Sequence, residues 1–207
     1  MNRAINIKAG TAQALTEHGI LPDVLVSASS FESKGHLVLE YRSEGSSLPV
    51  TLGNTLEVSQ TQEVPSILFV ADKEDSIKKE DLFTVVMTDP DAPSRKDHQW
   101  SEYCHYIQGN VRLSSDDGVS YGIGEGDVLV KYLGPGPPAG TGPHRYVWLL
   151  YKQPEGRWLT QEDVVAASSS RKNWGWTDVE PPVGVDRWAG EKNLELMAVN
   201  FFLAESR

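Results

Sequence analysis

The sequence predicts a mostly β protein, two antiparallel sheets packed as a β-sandwich with small peripheral helices. Short runs of β-branched and aromatic residues recur along the 207 residues, separated by glycine- and proline-rich loops. Two runs, 82–88 and 146–152, are apolar at almost every position, the pattern of strands covered on both faces. Helical signals are confined to three short stretches. No internal repeat and no linker divides the chain, so one domain over 1–207 is expected, with 1–8 as a flexible N-terminal segment.

Residues 11–18 read as a first helix, with Thr11 as its cap and Gly19 in the left-handed position that ends it. Leu21-Pro22 then turns the chain. Leu37, Leu39 and Tyr41 alternate with Val38, Glu40 and Arg42, a strand with one more polar face. A second strand is expected over 66–71, and 72–80 is a charged surface loop. The run 82–88 is a central strand. Strands follow over 103–108 and 128–133, with the glycine-rich acidic stretch 116–127 between them as a hairpin or open loop. Residues 146–152 repeat the buried-strand pattern. Thr160 can cap a helix over 161–167, and a further short helix fits 186–192. The last apolar run, 194–203, fits a strand or a helix, and the stretch from Met197 to Phe202 favours the strand.

Hydrophobic residues make up 39% of the chain and charged residues 23%, the balance of a folded globular protein. The formal net charge of -10 argues against a nucleic-acid partner, because neutralising phosphates takes clustered Lys and Arg. It leaves room for a local anion site. Cys104 is the one cysteine, so no intramolecular disulfide forms. The sequence holds no Asn-x-Ser/Thr acceptor, no signal-peptide core after Met1, and no apolar run near the ~18 residues of a transmembrane segment. Together these point to a reducing intracellular compartment, the cytoplasm.

Two proline-rich stretches carry the expected site. One is Asp89-Pro90-Asp91-Ala92-Pro93-Ser94-Arg95; the other runs from Gly134, Pro135, Gly136, Pro137 and Pro138 to His144, Arg145 and Tyr146. Proline cannot donate to a sheet ladder, so each stretch marks a rigid loop at a strand end, where binding sites are commonly built. If the ends of the two apolar strands are neighbours, Asp89, Asp91, His105 and His144 meet at one edge of the sandwich. Two carboxylates and two imidazoles can hold a metal, perform acid–base chemistry or bind an anion. The spacing lacks a zinc signature, so no metal and no cofactor is expected.

No serine or cysteine sits in a nucleophile context, and Cys104, inside a strand-like run, reads as a packed thiol. Aspartates also stabilise turns by bonding nearby backbone, and we give that part to Asp91, with Asp89 in the pocket wall. The stretch 134–142 is not a P-loop, since no Gly-Lys-Ser/Thr follows. Gly134 and Gly136 still expose backbone to a ligand without a Cβ in the way. Trp100, in a polar loop, is placed at the pocket mouth, and Arg145 in a salt bridge. An anion pocket is one outcome of this inventory; a hydrolase using Asp89, His105 and His144 is the other.

These residues resemble the phosphatidylethanolamine-binding protein family, which includes the Raf kinase inhibitor proteins and plant flowering-time regulators. Both blocks, 89–95 and 134–146, match the family's, as do the apolar strands beside them, and the likeness covers roughly 5–203. Within the family the chain is most similar to a fungal branch that inhibits serine carboxypeptidases of the carboxypeptidase Y type. Trp100 to His105, Asn173-Trp174-Gly175, the C-terminal stretch from Asn193 to Phe202 and the opening Met1 to Ile5 carry that likeness.

The resemblance implies a small anion cavity at one sheet edge, lined by Asp89, Pro93, Trp100, His105, Gly134, Gly136, Pro137, Pro138, His144 and Tyr146. Its implied ligand is a phosphate or phospholipid head group, with His105 and His144 donating hydrogen bonds. Affinity is then expected to fall as pH rises through about 6 to 7. The fungal branch further implies a non-enzymatic inhibitor whose acetylated N-terminal segment, Met1, Asn2, Arg3, Ala4 and Ile5, enters the substrate pocket of the serine carboxypeptidase. A second contact runs through the phosphate-binding region. The vacuole and membrane surfaces join the cytoplasm as implied locations. The animal members imply an alternative, regulation of kinase or Ras-type signalling proteins through the same pocket. Many animal members have tyrosine where Trp100 stands, and they place a C-terminal helix near the cavity where 194–203 is more apolar.

Overall fold

The computed structural model describes residues 2–26, 31–43, 45–73, 77–165, 170–172 and 184–206, with side chains from residue 10 onward, Ser43 excepted. Among them, ten strands form two five-stranded antiparallel sheets. In chain order these are β1 (Gly35–Ser43), β2 (Ser46–Pro49), β3 (Ser66–Ala71), β4 (Phe83–Asp89), β5 (Tyr103–Val111), β6 (Leu113–Ser114), β7 (Ser120–Ile123), β8 (Asp127–Val130), β9 (His144–Lys152) and β10 (Glu195–Ala204). One sheet runs β2-β1-β3-β7-β6 and the other β10-β9-β4-β5-β8. Helices α1 (Asn2–Glu17), α2 (Ile20–Asp23) and α3 (Val185–Glu191) complete the described elements, together with two 3-10 turns. No helix among the described residues is long and apolar enough to cross a membrane.

The second sheet is the middle layer. Tyr146, Trp148 and Leu150 of β9, with Val85 and Met87 of β4, face the first sheet's Leu37, Leu39, Tyr41 and Phe69. Val147, Leu149 and Tyr151 of β9, with Val86 of β4 and Phe201 of β10, face the other way, against Leu15, Ile20, Val24, Leu25 and Trp188. Alternate residues of one strand thus enter different cores, as the strand period of two requires. Every residue of β4 is therefore buried, and every residue of β9 except Lys152. That is the physical source of the two continuous apolar runs in the sequence: an antiparallel sheet whose second face is roofed by helices.

The expected elements return with informative differences. The final run is a strand, β10, and 66–71 is β3. Residues 116–127 contain the hairpin partner β7, which pairs with β6. Strand β8 is shorter than expected and ends at Val130. The capped stretch after Thr160 is a 3-10 turn, Gln161–Val164, closed by a capping box with Asp163; 166–169 of the expected helix lie outside the described residues. So do 74–76 of the charged loop and Asn173-Trp174-Gly175. Strand β2 escaped the sequence reading because Ser-Ser-Leu-Pro has neither alternation nor burial; its register comes from β1.

Helix α1 starts at Asn2, so Thr11 lies inside it, buried, and is not its cap. Reading Thr11 as a cap set the start too late: the alanine- and isoleucine-containing stretch before it is helical as well, and Gly10 within it costs a helix only about 1 kcal/mol. Gly19 has φ +70 and sits between α1 and α2, where a Cβ would come within 3.0 Å of Arg145 Nη1.

Asn200 ties β10 to the first sheet. Its Nδ2 donates to the carbonyls of Leu37 (2.8 Å) and Val50 (3.1 Å), and its Oδ1 accepts from the Leu52 N–H at 3.1 Å. Asn200→Leu leaves these buried groups unpaired and is expected to cost about 2–3 kcal/mol in urea denaturation. An unchanged midpoint would show that water replaces the side chain without loss.

Candidate functional site

Strand β4 delivers Asp89 at its C-terminal end. Its two neighbours run antiparallel to it, so β5 and β9 both begin at that same edge and bring Tyr103, His105, His144 and Tyr146 beside it. The two proline-rich blocks therefore converge, and His144 Nδ1 stands 2.8 Å from Asp89 Oδ2. The turn after β4 folds on itself: Asp89 Oδ1 accepts the Asp91 N–H at 2.7 Å, and the Trp100 N–H donates to the Ala92 carbonyl at 3.1 Å. This holds Trp100 at the rim.

A cavity of about 390 Å³ occupies this edge. Asp89, Pro93, Trp100, His105, Gly134, Gly136, Pro138, His144 and Tyr146 line it, as do Gln62, Ala92, Tyr103, Leu133, Pro135 and Lys172. Pro137 does not; the extended loop alternates, burying Pro135 and Pro137 and leaving Gly136 and Pro138 exposed. The two glycines also differ from one another. A Cβ on Gly134 would fall 2.6 Å from Gln62 Oε1, so that glycine makes room for Gln62, whose Nε2 donates to the Pro135 carbonyl at 2.9 Å. Nothing lies within 4 Å of a Cβ built on Gly136, which stands exposed in the cavity wall.

The two aspartates divide their work. Asp91 turns from the cavity and takes Arg145 on both oxygens: Oδ2 accepts from the Arg145 backbone N–H (2.8 Å) and Nε (2.9 Å), and Oδ1 accepts from Nη2 (2.7 Å). Arg145 points to the opposite face of β9 from His144 and Tyr146, where Nη1 reaches Asp23 (2.7 Å) and the His18 carbonyl (2.8 Å). Asp89 stays at the cavity with His144.

The two histidines are in opposite states. Burial lowers the His144 pKa, but the hydrogen bond and charge of Asp89, the charge of Asp91 and the Pro93 backbone outweigh it, so the net shift is upward. The hydrogen bonds agree. Thr141 Oγ1 gives its proton to the Pro138 carbonyl at 2.7 Å, which leaves its oxygen to accept from His144 Nε2 at 3.1 Å. His144 then carries protons on both nitrogens. Burial is the leading influence on His105 too, and there the net shift is downward, with the charges of Arg171 and His144 acting in the same sense. Its Nδ1 donates to the Leu133 carbonyl at 2.7 Å, so that nitrogen is not free to donate to a ligand, contrary to the sequence expectation.

Lys172 adds positive charge at the mouth, its Nζ 3.7 Å above the Trp100 ring. It is held there by Arg171, whose guanidinium donates to the carbonyls of Cys104, His105 and Lys131. Neither Gln62 nor Lys172 carries a motif; both reach the cavity only through the fold. Cys104 is fully buried in the helix-side core, and burial pushes its thiol far above the usual range. No cluster of metal-ligating residues occurs among the described residues.

The fold and its edge define a class: a β-sandwich with a small hollow at one sheet edge, walled by the His144–Asp89 pair and the His105 ring, with the Lys172 ammonium at its mouth. The comparisons carry this further. The profile of the phosphatidylethanolamine-binding protein family matches residues 40–202. The chain is 39% identical to the carboxypeptidase Y inhibitor of Saccharomyces cerevisiae over 228 residues, covering 100% of both. It is 35% identical to YLR179C, an uncharacterised protein of the same yeast, covering 93% of this chain and 92% of that one. The crystal structure of carboxypeptidase Y inhibitor complexed with its cognate proteinase matches with a TM-score of 0.86 and 40% identity over 100% of both chains. The phosphatidylethanolamine-binding protein of Plasmodium vivax shares the fold, with a TM-score of 0.61 at 20% identity over 94% of this chain and 97% of that one. The chain belongs to the phosphatidylethanolamine-binding protein family.

Proposed function

We propose that this protein is a non-enzymatic inhibitor of a serine carboxypeptidase of the carboxypeptidase Y type. The observation that carries the proposal is the end-to-end likeness, at 39% identity and a TM-score of 0.86, to an inhibitor of that proteinase. Because the likeness runs through the N-terminus, Met1, Asn2, Arg3, Ala4 and Ile5 are the proposed contact with the protease. An apolar chain terminus can enter the closed end of a carboxypeptidase pocket, where a loop cannot thread. The hydrolase alternative finds no serine or cysteine among the described residues that line the cavity.

The cavity itself takes the phosphate of a phospholipid head group or a similar anion. Its support is the Lys172 ammonium at the mouth and the His144–Asp89 pair in the cavity wall. The inhibitor proposal is tested by a peptidase assay with the full chain and with residues 1–7 removed. Truncation is expected to weaken inhibition at least ~30-fold, the loss of one anchoring hot spot. Equal potency would remove the N-terminal contact, and an inactive full-length chain would remove the inhibitor function.

A further inference from the structure

Glu102 is fully buried just before β5, and β4, β5, β9 and α3 close over its carboxyl. Thr88 Oγ1 of β4 lies 2.8 Å from its Oε2, and its Oε1 accepts the Val185 N–H of α3 at 3.0 Å. Tyr151 of β9 and Cys104 of β5 stand close enough to feel its charge, and Asp186, in the first turn of α3, adds a like charge. The Tyr151 hydroxyl is buried with no hydrogen-bond partner among the described residues. No cation pairs with Glu102 among those residues; Arg171, which acts on the adjoining Cys104, gives its guanidinium to the carbonyls of Cys104, His105 and Lys131. The cover over this acid is uneven. Strands β4, β5 and β9 each have a neighbour on both sides. Helix α3 has seven residues, too few to persist alone, and no side-chain cap at Gly184. Side chains fasten it: Trp188 Nε1 donates to the Asp163 carbonyl at 2.7 Å, and Lys192 Nζ, just past its end, lies 3.8 Å from Asp163 Oδ1.

We infer that Glu102 is a proton-operated latch on α3: the neutral acid lets the helix seat on the middle sheet, and loss of the proton lifts it. Ionisation does not break the Val185 bond, because a carboxylate accepts at least as well as an acid. It removes the donor to Thr88 and leaves a charge that needs water, enclosed among Val185, Cys104 and Tyr151 and beside Asp186. Water enters where the cover yields most easily, and that is the short helix rather than the paired strands. Burial pushes the Glu102 pKa up to about 8. The latch is therefore closed in acid and loosens as pH rises toward that value. Lifting α3 uncovers Val185, Trp188 and Ala189, the apolar face that the closed form buries. This is a local opening, distinct from unfolding of the whole chain.

The test is hydrogen exchange followed by NMR at about pH 5.5 and about pH 8, with protection corrected for the intrinsic rate at each. The amides of Val185 and Trp188 are expected to lose at least ~10-fold in protection over that range, while the amide of Leu149 in β9 stays the more protected at both. Glu102→Gln, which carries no charge, is expected to hold the α3 amides within about three-fold across the same range. Carboxyl-carbon NMR of the unmutated protein gives a reading that needs no variant. Glu102 is expected to be protonated near pH 5.5 and to titrate in step with the loss of α3 protection. Protection at Val185 and Trp188 that stays level, that falls equally in Glu102→Gln, or that matches Leu149 throughout overturns the latch. A Glu102 carboxyl already ionised near pH 5.5 overturns it as well.

Discussion

Asp91→Asn is expected to destabilise the protein by about 3–5 kcal/mol, read as a lower urea midpoint at unchanged slope. Asp91 and Arg145 are 1% and 2% exposed. A charge taken that far from water is tolerated only with its partner, and asparagine supplies neither the opposite charge nor two accepting oxygens. The remaining partners do not compensate. Asp23 still holds Arg145 Nη1, but its side chain is 44% exposed, where an ion pair contributes ~1 kcal/mol or less. Asp23→Asn serves as the control and is expected to shift the midpoint little. The pair joins the turn after β4 to the start of β9 and, through Arg145, to the turn between α1 and α2. It crosses the middle sheet to the helical layer on the face away from the cavity. An unchanged midpoint would mean that the guanidinium finds water, and that the site is less closed than its burial implies.

The second large effect is a dependence of stability on pH, removed by Glu102→Gln. Glu102 is fully buried, and burial pushes its pKa up to about 8, with the charge of Asp186 adding to this against hydrogen bonds from Thr88, Val185 and Gly184. Its Oε2 is 2.8 Å from Thr88 Oγ1, and its Oε1 accepts the Val185 N–H at 3.0 Å. The neutral acid completes a chain: Oε2–H to Thr88 Oγ1, and Thr88 Oγ1–H to the Tyr103 carbonyl at 3.3 Å. The folded state therefore holds the proton more tightly than the unfolded chain. Stability is full below about 4.5 and declines as pH rises toward about 8. The decline is on the order of 4 kcal/mol from this group alone. Glutamine preserves the donor to Thr88 and carries no charge. Glu102→Gln is expected to match the parent near pH 5 and exceed it by a few kcal/mol near pH 8 in denaturant titrations. Parallel pH profiles for the two proteins would show that Glu102 is ionised in the fold, paired with a group outside this network.

Much of this architecture is written locally. The alternation in β1, the full apolar runs of β4 and β9 and the proline stretches at their ends each report their own surroundings. Asp89 and His144 could be marked as site residues because a rigid polar loop beside a buried strand has few other uses. Where local signals were weak, the expectations slipped. Thr11 read as a cap, which hid the first half of α1, and Ser-Ser-Leu-Pro gave no hint of β2. Gln62 and Lys172 carry no pattern, because a side chain at the end of a long loop reads in sequence as surface. The states of the two histidines were equally hidden. Nothing in the spacing of His105 and His144 says that one faces a carbonyl and the other a carboxylate.

The order of apolar and polar residues by itself settled that this chain makes sheets, which strands lie in the middle, and that rigid proline-rich loops stand at the ends of two of them. Those properties follow from side-chain period and from what proline and glycine permit at one place in the chain. Only the tertiary structure decided which aspartate serves the cavity and which the core, which glycine is open, and which imidazole holds the proton. Each of these depends on distances between groups far apart in sequence, and protonation follows the local field and solvent access, which exist only once the strands have paired.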